Sequence, residues 1–422
     1  MKYSLVLAWP LLMAAPILAQ SAQSQSAEQS LPGLPDAAVQ EAIETHPRSR
    51  AADAKVEAAR QEATALRVTA NEFTLSGDVG RRTIEDEGRY TEYTVALERP
   101  IRLPGKTALD RKAGTLAVKV AELRAEDARH QLALQLNELW WDWMGAVAEA
   151  RTLAETQQTL ERAYRGVDSQ VRVQDAAQVD ADRAMAEVAM NRASLDAALS
   201  RAGIARERLA AQFPQLALPA EAPALSRPGL PPEELARLRE AVMTCNHELP
   251  AALAEAERLA ALAERSRRNR IADPTIGAQF FSERGGLEKG AGIVFSMPLG
   301  GRYRAALSDQ AQAEAQVAIA DAASARFDVL EMATTDFSAA LGTVQSWKAT
   351  EAAAASSRRA ADRLQAGNRL GHVDLADLLF AERQAKEAAL AETQARATAL
   401  RAETRLRIDA HHLWLDCEHE QP

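Results

Sequence analysis

The stretch ERPIRLPGKTALDR, Glu98 to Arg111, decides how this chain is read. It follows a run of alternating residues and leads directly into a long alanine-rich helical pattern. A strand therefore stops at Pro100, turns through Pro104-Gly105, and continues as a helix with basic residues at its mouth. The same grammar returns as SMPLGGRYRAALSD, Ser296 to Asp309, where Pro298 ends a strand-like run and Gly300-Gly301 opens another helix. Two such junctions point to a repeated part.

Working outward, a Pro-rich linker, LALPAEAPALSRPGLPP from Leu216 to Pro232, divides the 422 residues near their middle. Each side carries the same order: helix, strand, short polar loop, strand, Pro/Gly junction, very long helix, turn, long helix. His46-Pro47 opens the first helix as His247 to Pro250 opens the second. Gly105-Lys106 corresponds to Gly301-Arg302, and at the same offset Trp141 falls opposite Phe337. VDAD at Val179 to Asp182 echoes VDLAD at Val373 to Asp377.

The helical stretches have coiled-coil spacing. Leu132, Leu136, Leu139, Trp143, Ala146, Ala150 and Leu153 keep one seam facing a partner, and Ala381, Ala385, Ala388, Glu392, Ala395, Ala399, Ala402 and Leu406 repeat the spacing with mostly alanine. No proline interrupts Lys106 to about Val167, so a continuous helix there spans roughly 90 Å. The strand runs have another character. Phe73, Leu75 and Val79 alternate with Thr74, Ser76 and Asp78, and Tyr93, Val95 and Leu97 alternate with Glu92, Thr94 and Ala96. In the second half Ile276, Ala278 and Phe280, then Ile293, Phe295 and Met297, repeat this more weakly. A half-buried soluble sheet has this pattern too. Four strands, however, cannot close a lipid-excluding barrel, since single-chain barrels start at about 8. The adjoining helices are committed to one another and cannot cover the apolar face. Pooling strands between chains resolves both difficulties.

Composition narrows the function. Hydrophobic content of 47%, charge of 26% and aromatic content of only 5% fit long helices packed through small residues. A formal charge of -9 argues against a nucleic-acid partner. The opening MKYSLVLAWPLLMAAPILAQ reads as a signal peptide over residues 1–19, cut after Ala19, followed by a disordered tether over 20–35. The remaining boundaries fall at 36–215 for the first repeat, 216–232 for the linker, 233–415 for the second repeat and 416–422 for a C-terminal tail. There is no GxxxxGK[ST], HExxH, GxSxG or Cys-x-x-Cys, so no enzyme, cofactor or resident metal is expected. The tail HHLWLDCEHE, His411 to Glu420, packs histidines, a thiol and acids together, but without ligand geometry it reads as a solvated end. Trp140, Trp141 and Trp143 read as packing residues.

These residues resemble the TolC-like outer membrane channels of tripartite efflux and type I secretion systems. ERPIRLPGKTALDR resembles the strand-to-helix junction of the heavy-metal cation efflux branch, and GNRLGHVDLADLL, Gly367 to Leu379, resembles the turn entering the last long helix. The resemblance implies a mainly α fold with a small β part. Its duplicated helix-strand-strand-helix repeats build a periplasmic helical tunnel, and four strands per chain join a shared 12-stranded trimeric barrel in the outer membrane. Pro100, Pro104, Gly105, Pro298, Gly300 and Gly301 then form strand-to-helix junctions, and Phe73, Leu75, Val79, Tyr93, Val95 and Leu97 face lipid. Arg102, Lys106, Arg302 and Arg304 fall near the inner-leaflet headgroups. Asp374 and Asp377 form a pore gate with Arg369 as partner, the alternative being ordinary acids at a helix start. Cys245 and Cys417 come near the tube's midline, as a disulfide or as two separate thiols. The implied partners are two further copies of the chain, a periplasmic adaptor, a proton-driven inner-membrane pump and outer membrane lipid. The implied role is a passive exit duct, with divalent heavy-metal cations as a candidate cargo; the rival is a soluble periplasmic coiled-coil scaffold.

Overall fold

The computed structural model describes residues 31, 33–68, 71–415 and 417. The expected signal peptide and most of the expected tether lie outside the described residues, as does most of the tail. Leu31 and Leu34, grouped above with the tether, are buried in the main apolar core. The packed chain therefore begins earlier than Asp36, because two leucines four residues or fewer apart find an apolar seat there.

The first half runs α1 (Asp36–Glu44), α2 (Pro47–Val68), β1 (Thr74–Ile84), β2 (Gly88–Pro100), α3 (Lys106–Arg172) and α4 (Gln178–Gln212). The second half runs α5 (Pro232–Cys245), α6 (Glu248–Arg268), β3 (Thr275–Glu283), β4 (Glu288–Ser296), α7 (Arg302–Arg369) and α8 (Leu375–Asp409). Helices of 67 and 68 residues stand in corresponding places, each followed by a helix of 35. At about 1.5 Å per residue the two long ones each reach roughly 100 Å. Each half opens with two short helices where the sequence reading placed one. His46-Pro47 and His247 mark the break between the members of each pair, and Asn246 makes the second break by accepting a bond from the Leu249 amide.

The four strands form one antiparallel sheet in the order β1-β2-β3-β4. The halves join where β2 pairs β3, with Val95 opposite Phe280 and Leu97 opposite Ala278. Below the sheet, α3 packs on α4 and α7 on α8 as two long hairpins, while α2 and α6 lie along their upper parts. Most seam positions are buried, as a coiled-coil spacing requires: Leu132, Leu136, Leu139, Trp143, Ala150 and Leu153 on α3, and Ala381, Ala385, Ala399 and Leu406 on α8. Glu392 holds a seam place because its carboxylate accepts from the buried Trp347 indole at 2.8 Å and from Arg396. The largest core sits midway along the bundle. There Trp140, Trp141 and Trp143 meet Leu209, Phe213, Ile408 and Trp414.

Candidate functional site

The sheet is inside out for a protein surrounded by water. On one face lie Leu75, Val79, Tyr93, Val95, Leu97, Ile276, Phe280, Ile293 and Phe295, all of them exposed; Leu75 is 71% exposed and Ile293 84%. Phe73, just before β1, is exposed as well. On the other face stand Thr74, Ser76, Asp78, Glu92, Thr94 and Gln279, set there by the same two-residue period. A soluble one-layer sheet buries its apolar side and wets its polar side. Among the described residues no helix covers the apolar side. Strands of 9 to 13 residues have the length needed to cross a hydrocarbon layer, about 9–11 residues when tilted. Within the single chain, β1 and β4 each keep one edge unpaired. No described helix is long and apolar enough to cross a membrane.

At the first junction β2 ends with Pro100 opposite Thr275, and the Ile101 amide donates to the Pro274 carbonyl at 2.7 Å. Gly105 caps α3 with φ +84, a left-handed conformation costly to any residue with a Cβ. Below it lies a buried ionic cluster. Lys106, 1% exposed, donates to Asp273 Oδ1 and to the Ile271 carbonyl, both at 2.8 Å, and the Leu103 amide donates to the same Asp273 oxygen. Asp110, also buried, pairs with Arg102 and with Arg265 at 3.0 Å. Burial pushes the Asp273 carboxyl up, but Lys106, the Leu103 amide and Arg265 outweigh it and hold it below the ordinary carboxylate range. Arg102 and Lys106 are thus internal locks. Both acids they bind come from this chain, so neither side chain is free to anchor a lipid phosphate. Asp110 and Asp273 were missed in the sequence, because an acid four residues into a helix and one in a loop carry no signal of a long-range partner.

The second junction is open. Pro298, Gly300 and Gly301 follow β4 in extended chain, Leu299 is 92% exposed, and Arg302 begins α7 exposed. Gly300 passes against the Arg270 carbonyl, and Arg304 donates to the Asn269 carbonyl at 3.0 Å.

At the far ends of the hairpins the two turns pack together through Val167, Ala181 and Ala184 on one side and Leu375, Leu378 and Leu379 on the other. Arg369 is the last residue of α7, Asp374 is the N-cap of α8, and Asp377 lies in its first turn. All three are exposed. Asp374 makes no capping bond with its side chain. Gly371, with φ +74, reverses the chain, and Asn368 donates to the Val373 carbonyl at 2.9 Å to close the turn. Arg369 and the two aspartates are near in the chain but form no ion pair with one another among the described residues. Midway along the bundle Cys245, the last residue of α5, is joined to Cys417 in a disulfide, with Cα atoms 5.4 Å apart.

No family model matches the chain, and no curated protein does either. Solved structures do. The chain is similar to the outer membrane protein VceC of Vibrio cholerae, with a TM-score of 0.73 at 17% identity over 88% of this chain and 95% of that one. It is similar to the open state of the MtrE outer membrane channel of Neisseria gonorrhoeae, with a TM-score of 0.72 at 17% identity over 92% and 90%. The CmeC outer membrane channel of Campylobacter jejuni gives 0.66 at 13% identity over 99% and 96%. The long helical hairpins and four-stranded sheet are therefore the fold of outer membrane channels.

Proposed function

We propose that this chain is the outer membrane channel of a tripartite efflux system, a passive exit duct assembled from three copies. The observation that carries the reading is the sheet with its apolar face outward and both edges unpaired. Three such sheets joined edge to edge make a closed barrel of 12 strands, which satisfies every edge and gives the apolar face to lipid. The polar face then lines a water-filled lumen, continuous with the tunnel between the hairpins. Cargo enters at the hairpin tips from a periplasmic adaptor and a proton-driven inner-membrane pump. The LPGK-type turn at Leu103 to Lys106 supports divalent heavy-metal cations as that cargo.

Three copies bring Asp374 and Asp377 into rings at the tips, where like charges attract cations and need Arg369 or a bound ion to close. Fractionation with planar-bilayer recording tests the whole reading. The expected result is a heat-modifiable trimer in the outer membrane whose conductance is blocked by multivalent cations, with block weakened in Asp374→Ala/Asp377→Ala and resting conductance raised in Arg369→Ala. Release of the protein with the periplasmic contents overturns the duct in favour of a soluble scaffold. A correctly assembled double variant with unchanged block leaves the duct standing and moves the gate elsewhere.

A further inference from the structure

Midway along the bundle, away from sheet and tips, three side chains that can ligate a metal converge from two halves of the chain. Asp127 and His130 lie three apart on one face of α3, and Glu248 is the first residue of α6. One donor atom from each falls within 4.8 Å of the other two. His130 Nδ1 and Glu248 Oε1 are 3.7 Å apart. Both Glu248 oxygens are buried from water, and burial raises the carboxyl, but the His130 ring and the backbone outweigh it and hold the group below its ordinary range, so it stands there as an anion ready to ligate a cation. On its other side the His130 ring is held by Asp409, the last residue of α8, whose Oδ1 lies 2.8 Å from Nε2. A carboxylate on one imidazole nitrogen orients the ring and leaves the other nitrogen toward a metal, the arrangement metal-binding histidines use. The rings of His411 and His247 complete the layer, at centroid distances of 5.3 Å from His130 to His411 and 4.7 Å from His411 to His247.

We propose that Asp127, His130 and Glu248 form a binding site for one divalent transition-metal ion of the zinc class, a clip that ties the first long helix to the start of the second repeat's α6. One imidazole nitrogen and two carboxylate oxygens suit zinc, which tolerates mixed N/O donors, and are too few and too nitrogen-rich for calcium. Zinc–ligand bonds of about 2.1 Å place donors about 3.4 Å apart, so the side chains close slightly around the ion. The site is independent of the duct reading, since it faces the protein's own interior packing and no cargo path is invoked.

The test uses the full chain, extracted in detergent and stripped with chelator, with Zn²⁺ alone as probe and Mg²⁺ as the hard-ion control. Metal analysis after dialysis is expected to give one Zn²⁺ per chain, a rise in melting temperature with Zn²⁺, and no response to Mg²⁺. Glu248→Gln and Asp127→Asn each lose the bound ion, while Asp409→Asn weakens it about 10–100-fold by freeing the ring. His412→Ala/His419→Ala, which alters histidines that are not among the three proposed ligands, keeps it. Co²⁺ in the unaltered protein is expected to give the visible spectrum of a tetrahedral N/O site, a reading that needs no variant to fold. Zn²⁺ uptake equal in the unaltered protein and in Glu248→Gln overturns the site, as does loss of uptake in the His412→Ala/His419→Ala protein or an octahedral Co²⁺ spectrum.

Discussion

The two strand-to-helix junctions share an order of residues and differ in almost everything that holds them. At the first, Lys106 is sealed against Asp273, Arg102 and Arg265 converge on Asp110, and Gly105 takes a left-handed turn. At the second, Arg302 and Tyr303 stand exposed and Gly301 is extended, with open space where a Cβ would go. A duplicated chain order thus fixes where strands hand over to helices, while the energy of the handover sits in one copy. The reason is geometric. Asp273 belongs to the loop between α6 and β3, next to β2, so only the first junction lies within its reach.

The sharpest way to break this comparison is to remove the buried cation. Lys106→Met removes the ion-pair partner of Asp273 and leaves it the Leu103 amide and the more distant Arg265, and is expected to cost about 2 to 4 kcal/mol, toward the lower side of the usual penalty for stripping one partner from a buried pair because Asp273 is partly exposed. Arg302→Met, its counterpart, should change stability by no more than about 0.5 kcal/mol. Chemical unfolding of the two variants side by side measures both. Equal losses mean that the junctions are equivalent after all and that the internal lock is not what holds the first one.

In the sheet, by contrast, the halves should behave alike. Val95→Arg and Ile293→Arg both set a charge on the outward apolar face and are expected to cost about 2–4 kcal/mol each at mid-membrane, while Thr94→Arg on the opposite face costs little. The measurement is refolding into lipid bilayers. If Thr94→Arg and Val95→Arg assemble equally well, the assignment of faces is wrong.

These contrasts also mark what the sequence could carry. The alternation of Leu75, Val79, Val95 and Leu97, the unbroken run from Lys106 and the Pro/Gly punctuation are local patterns, and each appears in the structure where its period puts it. The partners of Lys106 and of His130 are not local: they lie 167 and 279 residues away, and a single chain position says nothing about what it will face. Nor did the seams reveal that α7 carries a buried acid, Asp336, where the same offset puts Trp140 in α3. The Asp374 and Asp377 turn was legible as a turn, and the gate proposed for it would need neighbouring copies that one chain does not supply.

A smaller effect is expected from the backbone of the junctions. Alanine at Gly105 must adopt φ +84 and meets the Arg268 guanidinium, so Gly105→Ala should lose about 1–2 kcal/mol. Gly301→Ala has neither burden and should be near neutral. Thermal unfolding of the pair checks this, and an equal response would show that Arg268 and the turn both relax.

The smallest expected effect separates the halves by pH. Asp336 is buried beside Asp409 and lies 3.1 Å from the Nε of the half-exposed Arg405, and Asp409 in turn holds His130. Burial first, then the neighbouring Asp409, pushes the Asp336 carboxyl up to about 7. The folded chain therefore holds a proton there that the unfolded chain, with its ordinary value of 3.8, has released. Its contribution is most favourable at low pH and is lost as pH rises from about 4 through about 7. Asparagine mimics the protonated acid, can donate to Asp409 as that acid does, and does not titrate. Asp336→Asn should therefore come closest to the unaltered protein near pH 4 and exceed it increasingly toward pH 8, by a melting-temperature difference on the order of a few °C. At the equivalent place in the first half, Trp140 is fully buried among apolar side chains and packs edge-on against Trp143 at 5.3 Å. Trp140→Phe should lower stability by the same amount at both pH values, because no proton is exchanged there. A pH-independent gap for Asp336→Asn, parallel to that of Trp140→Phe, would mean that Arg405 neutralises Asp336 completely and that the two halves carry cores of the same kind.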